Sequence, residues 1–286
     1  MLIRNWIIDF RLYFLNKKVN RYFQDQNFQE VLKYTEKIWR IIGDSPELVR
    51  TESLCYFYQD DIINANEVLN EGLSIFPEDV ELLYLKATYL ESQKKLEEGI
   101  EITTELIKRE PLNHDYLALH AYLLMSIKEY DKAIDFYMRV LSTPESLSSI
   151  NTEDVEILDN DFYATNDYGV LNNLGFARLH IGEYHKAIGN FNRVIEIKAD
   201  FAYAYNNRGF AFMKLGHLDK AIVDIEKSLE LDSENSYAYK NKALYYLELG
   251  NKQAALVNLG IAKELGYTKQ YDSEVVDLIA KIRNES

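Results

Sequence analysis

Apolar residues recur along most of this chain with the spacing of a helix, in stretches of about 14 residues separated by short polar turns. Two consecutive stretches joined by such a turn predict an antiparallel helical hairpin. The segment LNNLGFARLHIGEYHKAIGNFNRVIEIKAD, at 171–200, shows the pattern, and YNNRGFAFMKLGHLDKAIVDIEKSLELDSE, at 205–234, repeats it 34 residues later. A fixed period of this length predicts a stack of similar hairpins rather than one central core.

The 34-residue frame extends in both directions along the chain. Repeat units begin at Leu12, Pro46, Val80 and His114 and, after an insertion, at Tyr168, Ala202 and Ser236. The eighth and twentieth places of the units, where paired helices should cross most closely, hold mostly small residues, including Gly175 and Gly209. Because glycine inside a helix costs about 1 kcal/mol relative to alanine, we expect a close helix contact at both glycines.

Repeats five and six carry the most specific motifs of the chain. Both contain NN-x-G-F, a G-x-Y/L turn, an Ala-Ile pair (Ala187–Ile188 and Ala221–Ile222) and an L/I-E-L/I ending. In these features the chain resembles the tetratricopeptide repeat family over residues 12–269, although repeats one and two fit by phase rather than by motif. The resemblance implies an all-α fold, an α-solenoid (superhelix) of seven antiparallel helical hairpins with a C-terminal capping helix. It also implies a non-enzymatic adaptor or scaffold for a protein or peptide partner.

The frame divides the chain into five segments. We expect an N-terminal capping helix at 1–11, repeats one to four at 12–144, an acidic insertion at 145–167, repeats five to seven at 168–269 and a C-terminal capping helix at 270–286. We call 12–144 the first block and 168–269 the second block. The insertion has seven acidic residues and no basic one, so we expect it to lie outside the core, at a joint between the blocks.

An asparagine row distinguishes the second block. The resemblance places the sixth residue of each first helix on the concave face, and this place holds Asn173, Asn207 and Asn241. A carboxamide offers donors and an acceptor together, so such a row suits the backbone of an extended peptide. An alternative is that these amides hold neighbouring helices together. The peptide-binding residues predicted for repeats five to seven are Asn172, Asn173, Phe176, Tyr203, Asn206, Asn207, Phe210, Tyr237, Lys240 and Asn241.

The charge of the chain narrows the choice of partner. Its formal net charge is −14, and no basic stripe is present, which disfavours nucleic acid as a ligand. Two alternatives to the adaptor stay open. One is an inhibitor or immunity-type protein that neutralises a basic protein through the acidic first block. The other is a self-assembling structural subunit joined through its apolar N-terminal helix.

The sequence contains no constellation that indicates catalysis, a cofactor or a metal site. The five histidines lack ligand spacing, and no phosphate loop or nucleophile elbow occurs. The single cysteine, Cys55, indicates a packed thiol and a reducing, cytoplasmic setting. Charged residues interrupt the apolar N-terminus, so neither a membrane-spanning helix nor a signal peptide is expected. The sequence therefore predicts a protein without enzymatic activity.

Overall fold

The computed structural model describes residues 2–143, 167–270 and 273–284, and the described residues are helical with no strand among them. The helices form seven consecutive pairs. The first helices of the pairs are α1 (Leu2–Gln24), α3 (Pro46–Phe57), α5 (Val80–Ser92), α7 (His114–Ser126), α9 (Tyr168–His180), α11 (Ala202–Lys214) and α13 (Ser236–Glu248). The second helices are α2 (Phe28–Ile42), α4 (Ile62–Ile75), α6 (Leu96–Arg109), α8 (Tyr130–Leu141), α10 (Tyr184–Ile197), α12 (Leu218–Leu231) and α14 (Lys252–Glu264). The short α15 (Tyr267–Gln270) and α16 (Glu274–Asn284) follow. The predicted all-α architecture of paired helices is confirmed.

From the second pair onward, every first helix begins at the residue that the 34-residue frame predicts. Side-chain caps explain several of these starts. Ser45, Asp79, Asp167 and Asn235 each accept a hydrogen bond from the backbone N–H three residues later, which satisfies a donor that the first turn leaves unpaired. The first pair differs, because α1 runs without interruption through Leu12, where the frame would begin a new unit.

The chain divides into two compact units, Met1–Leu123 and Leu124–Ser286, and the division falls inside α7. Within the second unit, α8 packs against α9. Most of the expected acidic insertion, at 144–166, lies outside the described residues, so a joint at that position stays a prediction.

The predicted close crossings of paired helices are confirmed. In the second pair, the Ser53 hydroxyl donates to the backbone oxygen of Ala65 at 2.8 Å, which joins the eighth and twentieth places directly. At Gly209, an added Cβ would lie 2.9 Å from the backbone oxygen of Ala221 and 3.0 Å from the side chain of Ile225. At Gly175 it would meet the Phe191 ring at 2.7 Å. At both glycines, therefore, the paired helices approach too closely to leave room for a side chain.

Each unit has its own buried clusters. In the first unit, one cluster contains Val19, Val31, Ile38 and Cys55, and a second contains Leu69, Leu82 and Tyr89. In the second unit, α16 closes the end of the stack, since Val275 and Ile282 are buried against residues of α13 and α14. Burial of apolar side chains between successive pairs, at about 25 cal/mol per Å² of apolar surface, is the main favourable contribution to such a fold.

Candidate functional site

The asparagines of the second block form a hydrogen-bonded ladder across three first helices. Asn206, Asn207 and Asn241 are buried, whereas Asn172 and Asn173 are half-buried. The Asn241 amide donates to Asn206 Oδ1 at 3.0 Å, and the Asn207 amide donates to Asn172 Oδ1 at 3.3 Å. These two bonds join α13 to α11 and α11 to α9.

Within each helix, the fifth-place amide donates to the sixth-place oxygen. The Asn206 amide lies 3.5 Å from Asn207 Oδ1, and the Asn172 amide lies 3.4 Å from Asn173 Oδ1. The donors therefore run in one direction through the ladder, from Asn241 to Asn173. The structure thus gives these amides a role in holding neighbouring helices together, which was the alternative interpretation of the row. Peptide binding by the same residues stays a prediction.

Lys240 interrupts the ladder. It occupies the fifth place of α13, where the preceding first helices carry Asn172 and Asn206. Its ammonium lies 3.1 Å from Glu274 Oε2 instead of bonding to the next residue, Asn241. Asn241 Oδ1 is consequently buried without a hydrogen-bond partner. An unsatisfied buried acceptor of this kind destabilises a fold by about 1–3 kcal/mol.

Aromatic rings from α11, α13 and α15 surround the Lys240 ammonium. The ammonium lies 4.4 Å from the Tyr237 ring centroid, 5.6 Å from that of Phe210 and 5.8 Å from that of Tyr267. The Phe176 ring lies 6.4 Å from Tyr237. We call Phe176, Phe210, Tyr237, Lys240, Tyr267 and Glu274 the Lys240 cluster. It brings together four of the predicted site residues; Tyr203 is exposed and contacts Phe201.

His180 lies beside the Lys240 cluster. Its ring stacks on Tyr130 at 4.6 Å and packs 4.4 Å from Phe176. Desolvation beneath these rings, together with the positive charges of Lys240 and Lys128, lowers the pKa of His180 to about 4, although the residue keeps an exposed edge. The imidazole is therefore neutral at pH 7.

Sequence reasoning missed His180, Tyr267 and Glu274 as members or neighbours of this cluster. A signal for Glu274 was present, because it follows Lys240 by one repeat length of 34 residues. Counted in the 34-residue frame from Gln270, Glu274 falls at the fifth place of an eighth unit, although α16 itself begins at Glu274. The fifth places of successive units then read Asn172, Asn206, Lys240 and Glu274.

The other features considered from the sequence are the cysteine, possible metal sites and possible membrane-spanning helices. Cys55 is fully buried, and burial raises the pKa of its thiol to about 12, as expected for a packed thiol. Among the described residues, no group of three or more histidine, cysteine and carboxylate side chains could hold a metal ion. None of the helices in the same part of the chain combines the length and apolar character needed to span a membrane.

Comparisons with known proteins show which segments of this chain are similar to characterised repeats. Family models described as Tetratricopeptide repeat match residues 114–146 and 202–235, and a model described as TPR repeat matches residues 175–216. Protein unc-45 homolog B of Xenopus tropicalis is 25% identical over 118 residues, or 40% of this chain. That alignment covers 13% of the length of the relative.

Solved structures show the same fold. A tetratricopeptide repeat protein from Parabacteroides merdae ATCC 43184 aligns with a TM-score of 0.67 at 16% identity, over 93% of this chain and 97% of that one. PilW, described as a widely conserved type IV pilus biogenesis factor, aligns with a TM-score of 0.62 at 15% identity, over 82% of this chain and 97% of that one. Residues 114–146 and 175–235 therefore carry tetratricopeptide repeats, and the paired helices in the rest of the described chain follow the same 34-residue frame.

Proposed function

We propose that this protein is a non-enzymatic adaptor that binds an extended segment of a partner protein along the first helices of repeats five to seven. The fold supports a role in protein–protein interaction in general. The finer location rests on one observation, the Lys240 cluster. Phe210 and Tyr237 come from two consecutive first helices and lie around one ammonium group, and Phe176 of the preceding first helix lies against Tyr237.

Such a cluster suits a peptide for two reasons. Aromatic rings contribute large contact areas with little loss of conformational freedom, which is why they dominate the energetics of interfaces. The Asn172–Asn173 end of the ladder is half-buried rather than buried, so these two amides are the ones within reach of a peptide backbone. The buried amides Asn206, Asn207 and Asn241 would then act indirectly, by fixing the spacing of the helices that carry the rings.

Site-specific photo-crosslinking tests this proposal. A benzophenone amino acid replaces Tyr203, which is exposed on α11, and the matched control carries it at Val223, which is exposed on α12 of the same repeat. Crosslinked products from the native cell extract are digested and sequenced by mass spectrometry. We expect the Tyr203 probe to capture one continuous short segment of a partner, and the Val223 probe to capture none.

Crosslinking to several distant segments of one folded basic protein would instead favour the inhibitor alternative. Crosslinking only to a second copy of this chain would favour the self-assembling subunit. Either result would overturn the proposed site.

A further inference from the structure

We propose that the groove between α2 and α3 binds an arginine side chain of a partner protein, with its guanidinium between Glu36 and Glu52 and against the Trp39 ring. This groove lies in the first block, so the inference does not depend on the function proposed for repeats five to seven. The observation that carries it is a periodic polar contact which this groove lacks.

The same polar contact joins successive repeats at three places in the chain. In each case a cationic side chain at the seventh place of a first helix donates to an oxygen at the twenty-fifth place of the preceding repeat, 16 residues earlier. The three contacts are Lys86 to Asn70 Oδ1 at 2.8 Å, Arg208 to Asn192 Oδ1 at 2.7 Å and Lys242 to Glu226 Oε1 at 3.2 Å. The seventh place is therefore one where this fold holds a cation against an acceptor.

Between repeats one and two, both of these places hold carboxylates. Glu36 occupies the twenty-fifth place of repeat one, and Glu52 occupies the seventh place of repeat two. Glu52 is half-buried, and no lysine or arginine among the described residues pairs with it. Burial, together with the negative charge of Glu71, raises the pKa of Glu52, as expected for a carboxylate without a neighbouring cation. Here, then, the described chain does not supply the cation that it supplies at the other three places.

A cavity of about 230 Å³ lies in this groove, and Glu36 and Glu52 both line it. Trp39 and Asp44 line it as well, and the Trp39 indole N–H donates to Asp44 Oδ1 at 2.8 Å, which fixes the orientation of the ring. Leu32 and Leu48 add apolar surface to the lining. This combination suits a long side chain with an apolar stem and a cationic end.

The lining favours a guanidinium over a metal ion or an ammonium. In the described part of the chain, no group of three or more histidine, cysteine and carboxylate side chains could hold a metal ion. A guanidinium is planar, bonds two carboxylates at once and stacks on an indole, whereas an ammonium is a compact point charge. Glu36 pairs with Arg40 of its own helix, but these side chains are 57% and 67% exposed, so the pair is weak and Glu36 is free to exchange partners.

Fluorescence anisotropy of the full chain tests this inference with fluorescein-labelled hexa-arginine, and hexalysine is the comparison peptide. We expect hexa-arginine to bind more tightly than hexalysine. Glu52→Gln should weaken hexa-arginine binding by about three- to tenfold, because a charge-assisted hydrogen bond is lost. Trp39→Leu should weaken it by about two- to fivefold, because the ring contact is lost.

The matched control is Glu47→Gln, which removes the same charge from an exposed position of α3 outside the cavity. It should change the affinity by less than about twofold. Equal weakening by Glu52→Gln and Glu47→Gln would overturn the site, since the peptide would then follow only the overall negative charge. Hexalysine binding as tightly as hexa-arginine would overturn the assignment to arginine.

Tryptophan fluorescence reports on the cavity itself. The sequence has two tryptophans, so Trp6→Phe leaves Trp39 as the single indole emitter. Saturating unlabelled hexa-arginine should change the Trp39 emission in this background, and unchanged emission would overturn the site. If Glu52→Gln lowers the helical circular dichroism, Asp44→Asn replaces it, because Asp44 is exposed; it should also weaken binding.

A final variant supplies the cation from the chain. Glu52→Lys places an ammonium at the seventh place, as Lys86 does in the next repeat, and opposite Glu36. We expect this variant to keep its helical circular dichroism, to have a higher melting temperature than the wild type and to lose the change in Trp39 emission. An emission change that persists with Glu52→Lys would overturn the site.

Discussion

The first four repeats and the last three use different residues in the turn that joins the two helices of each pair. Between the two helices of a pair, one residue has a left-handed backbone. In the first block this residue is Gln26, Asp60, Lys94 or Lys128, with φ between 53° and 67°. In the second block it is Gly182, Gly216 or Gly250, with φ between 72° and 84°. The backbone plan is common to both blocks, and only the second block uses the residue that adopts this conformation without strain.

The blocks also differ in the polar contacts between successive pairs. In the first block such contacts link pairs of side chains. The hydroxyls of Ser53 and Tyr89 lie 3.0 Å apart, and Thr103 Oγ1 lies 2.7 Å from His120 Nδ1. In the second block the amides form one continuous ladder over α9, α11 and α13. A continuous buried network fixes the relative positions of several helices together, so the comparison predicts a more rigid arrangement of the first helices in the second block.

Removing the centre of the ladder should have the largest effect. Asn207→Ala leaves both Asn172 Oδ1 and the Asn206 amide without their partners. We expect a loss of about 2–4 kcal/mol in the free energy of unfolding, at about 1–3 kcal/mol for each unpaired group. Urea unfolding measured by circular dichroism checks this. The first-block control is Thr51→Ala at the same place, whose hydroxyl bonds only within its own helix, to the Glu47 backbone oxygen, and whose loss should change stability by less than about 0.5 kcal/mol. Equal losses in the two variants would refute the comparison.

Filling the close crossing of the sixth pair should have the next largest effect. Gly209→Ala forces a Cβ to within 2.9 Å of backbone, so we expect a loss of about 1–3 kcal/mol despite the better helix propensity of alanine. The matched control is Gly189→Ala on α10, where an added Cβ meets nothing within 4 Å. It should raise stability by about 0.5–1 kcal/mol. Thermal unfolding of both variants measures whether each one gains or loses stability. A Gly209→Ala variant that is more stable than the wild type would contradict the close approach of α11 and α12.

Exchanging turn residues between the blocks should shift stability by smaller amounts of opposite sign. Lys94→Gly should raise the free energy of unfolding by about 0.5–1 kcal/mol by removing a strained left-handed lysine, whereas Gly216→Ala should lower it by about 1 kcal/mol. The exposed Lys94–Glu91 ion pair, at 3.9 Å, contributes little to this balance. Chemical unfolding of the two single variants measures both changes in the free energy of unfolding. Shifts of the same sign would show that the turn conformation does not distinguish the blocks.

The smallest effect concerns pH and arises in the second block. The pKa of His180 is lowered to about 4 in the folded chain from an ordinary value of 6.5, so the folded state binds fewer protons than the unfolded state between these values. The stability contributed by neutral His180 is present above pH 6.5 and is lost as the pH falls toward 4. His180→Gln should flatten this part of the stability profile, measured by urea unfolding at pH 7 and pH 5.

Periodicity predicted the fold well and the site in part, for a physical reason. A 34-residue repeat fixes where helices begin, because every unit must present the same apolar face to its neighbours, and six of the seven predicted starts match the structure. It also placed Phe176, Phe210 and Tyr237 on helices that converge. It did not show that Asn207 and Asn241 are buried, since burial of a polar face depends on whether the adjacent repeat supplies partners at the right distance.

Glu274 was missed because the frame was ended at residue 269. One further repeat length connects it to Lys240, so the signal was a spacing and not a motif. The α1 start was also misplaced by the frame, which has no preceding repeat to define it. Ends of repeat arrays are where periodicity carries least information, and here one end supplies a member of the candidate site.

The most direct test of the account is a double-mutant cycle on Lys240 and Asn241, measured by urea unfolding. The central claim is that Lys240 replaces a ladder amide and leaves Asn241 Oδ1 unpaired. In the wild type, Asn241→Ala removes one bond to Asn206 together with an unsatisfied oxygen. In a Lys240→Asn background, it removes a second bond as well. We therefore expect Asn241→Ala to be more destabilising by about 1 kcal/mol in that background. An equal or smaller loss would contradict the claim, because Lys240 would then not be the residue that interrupts the ladder.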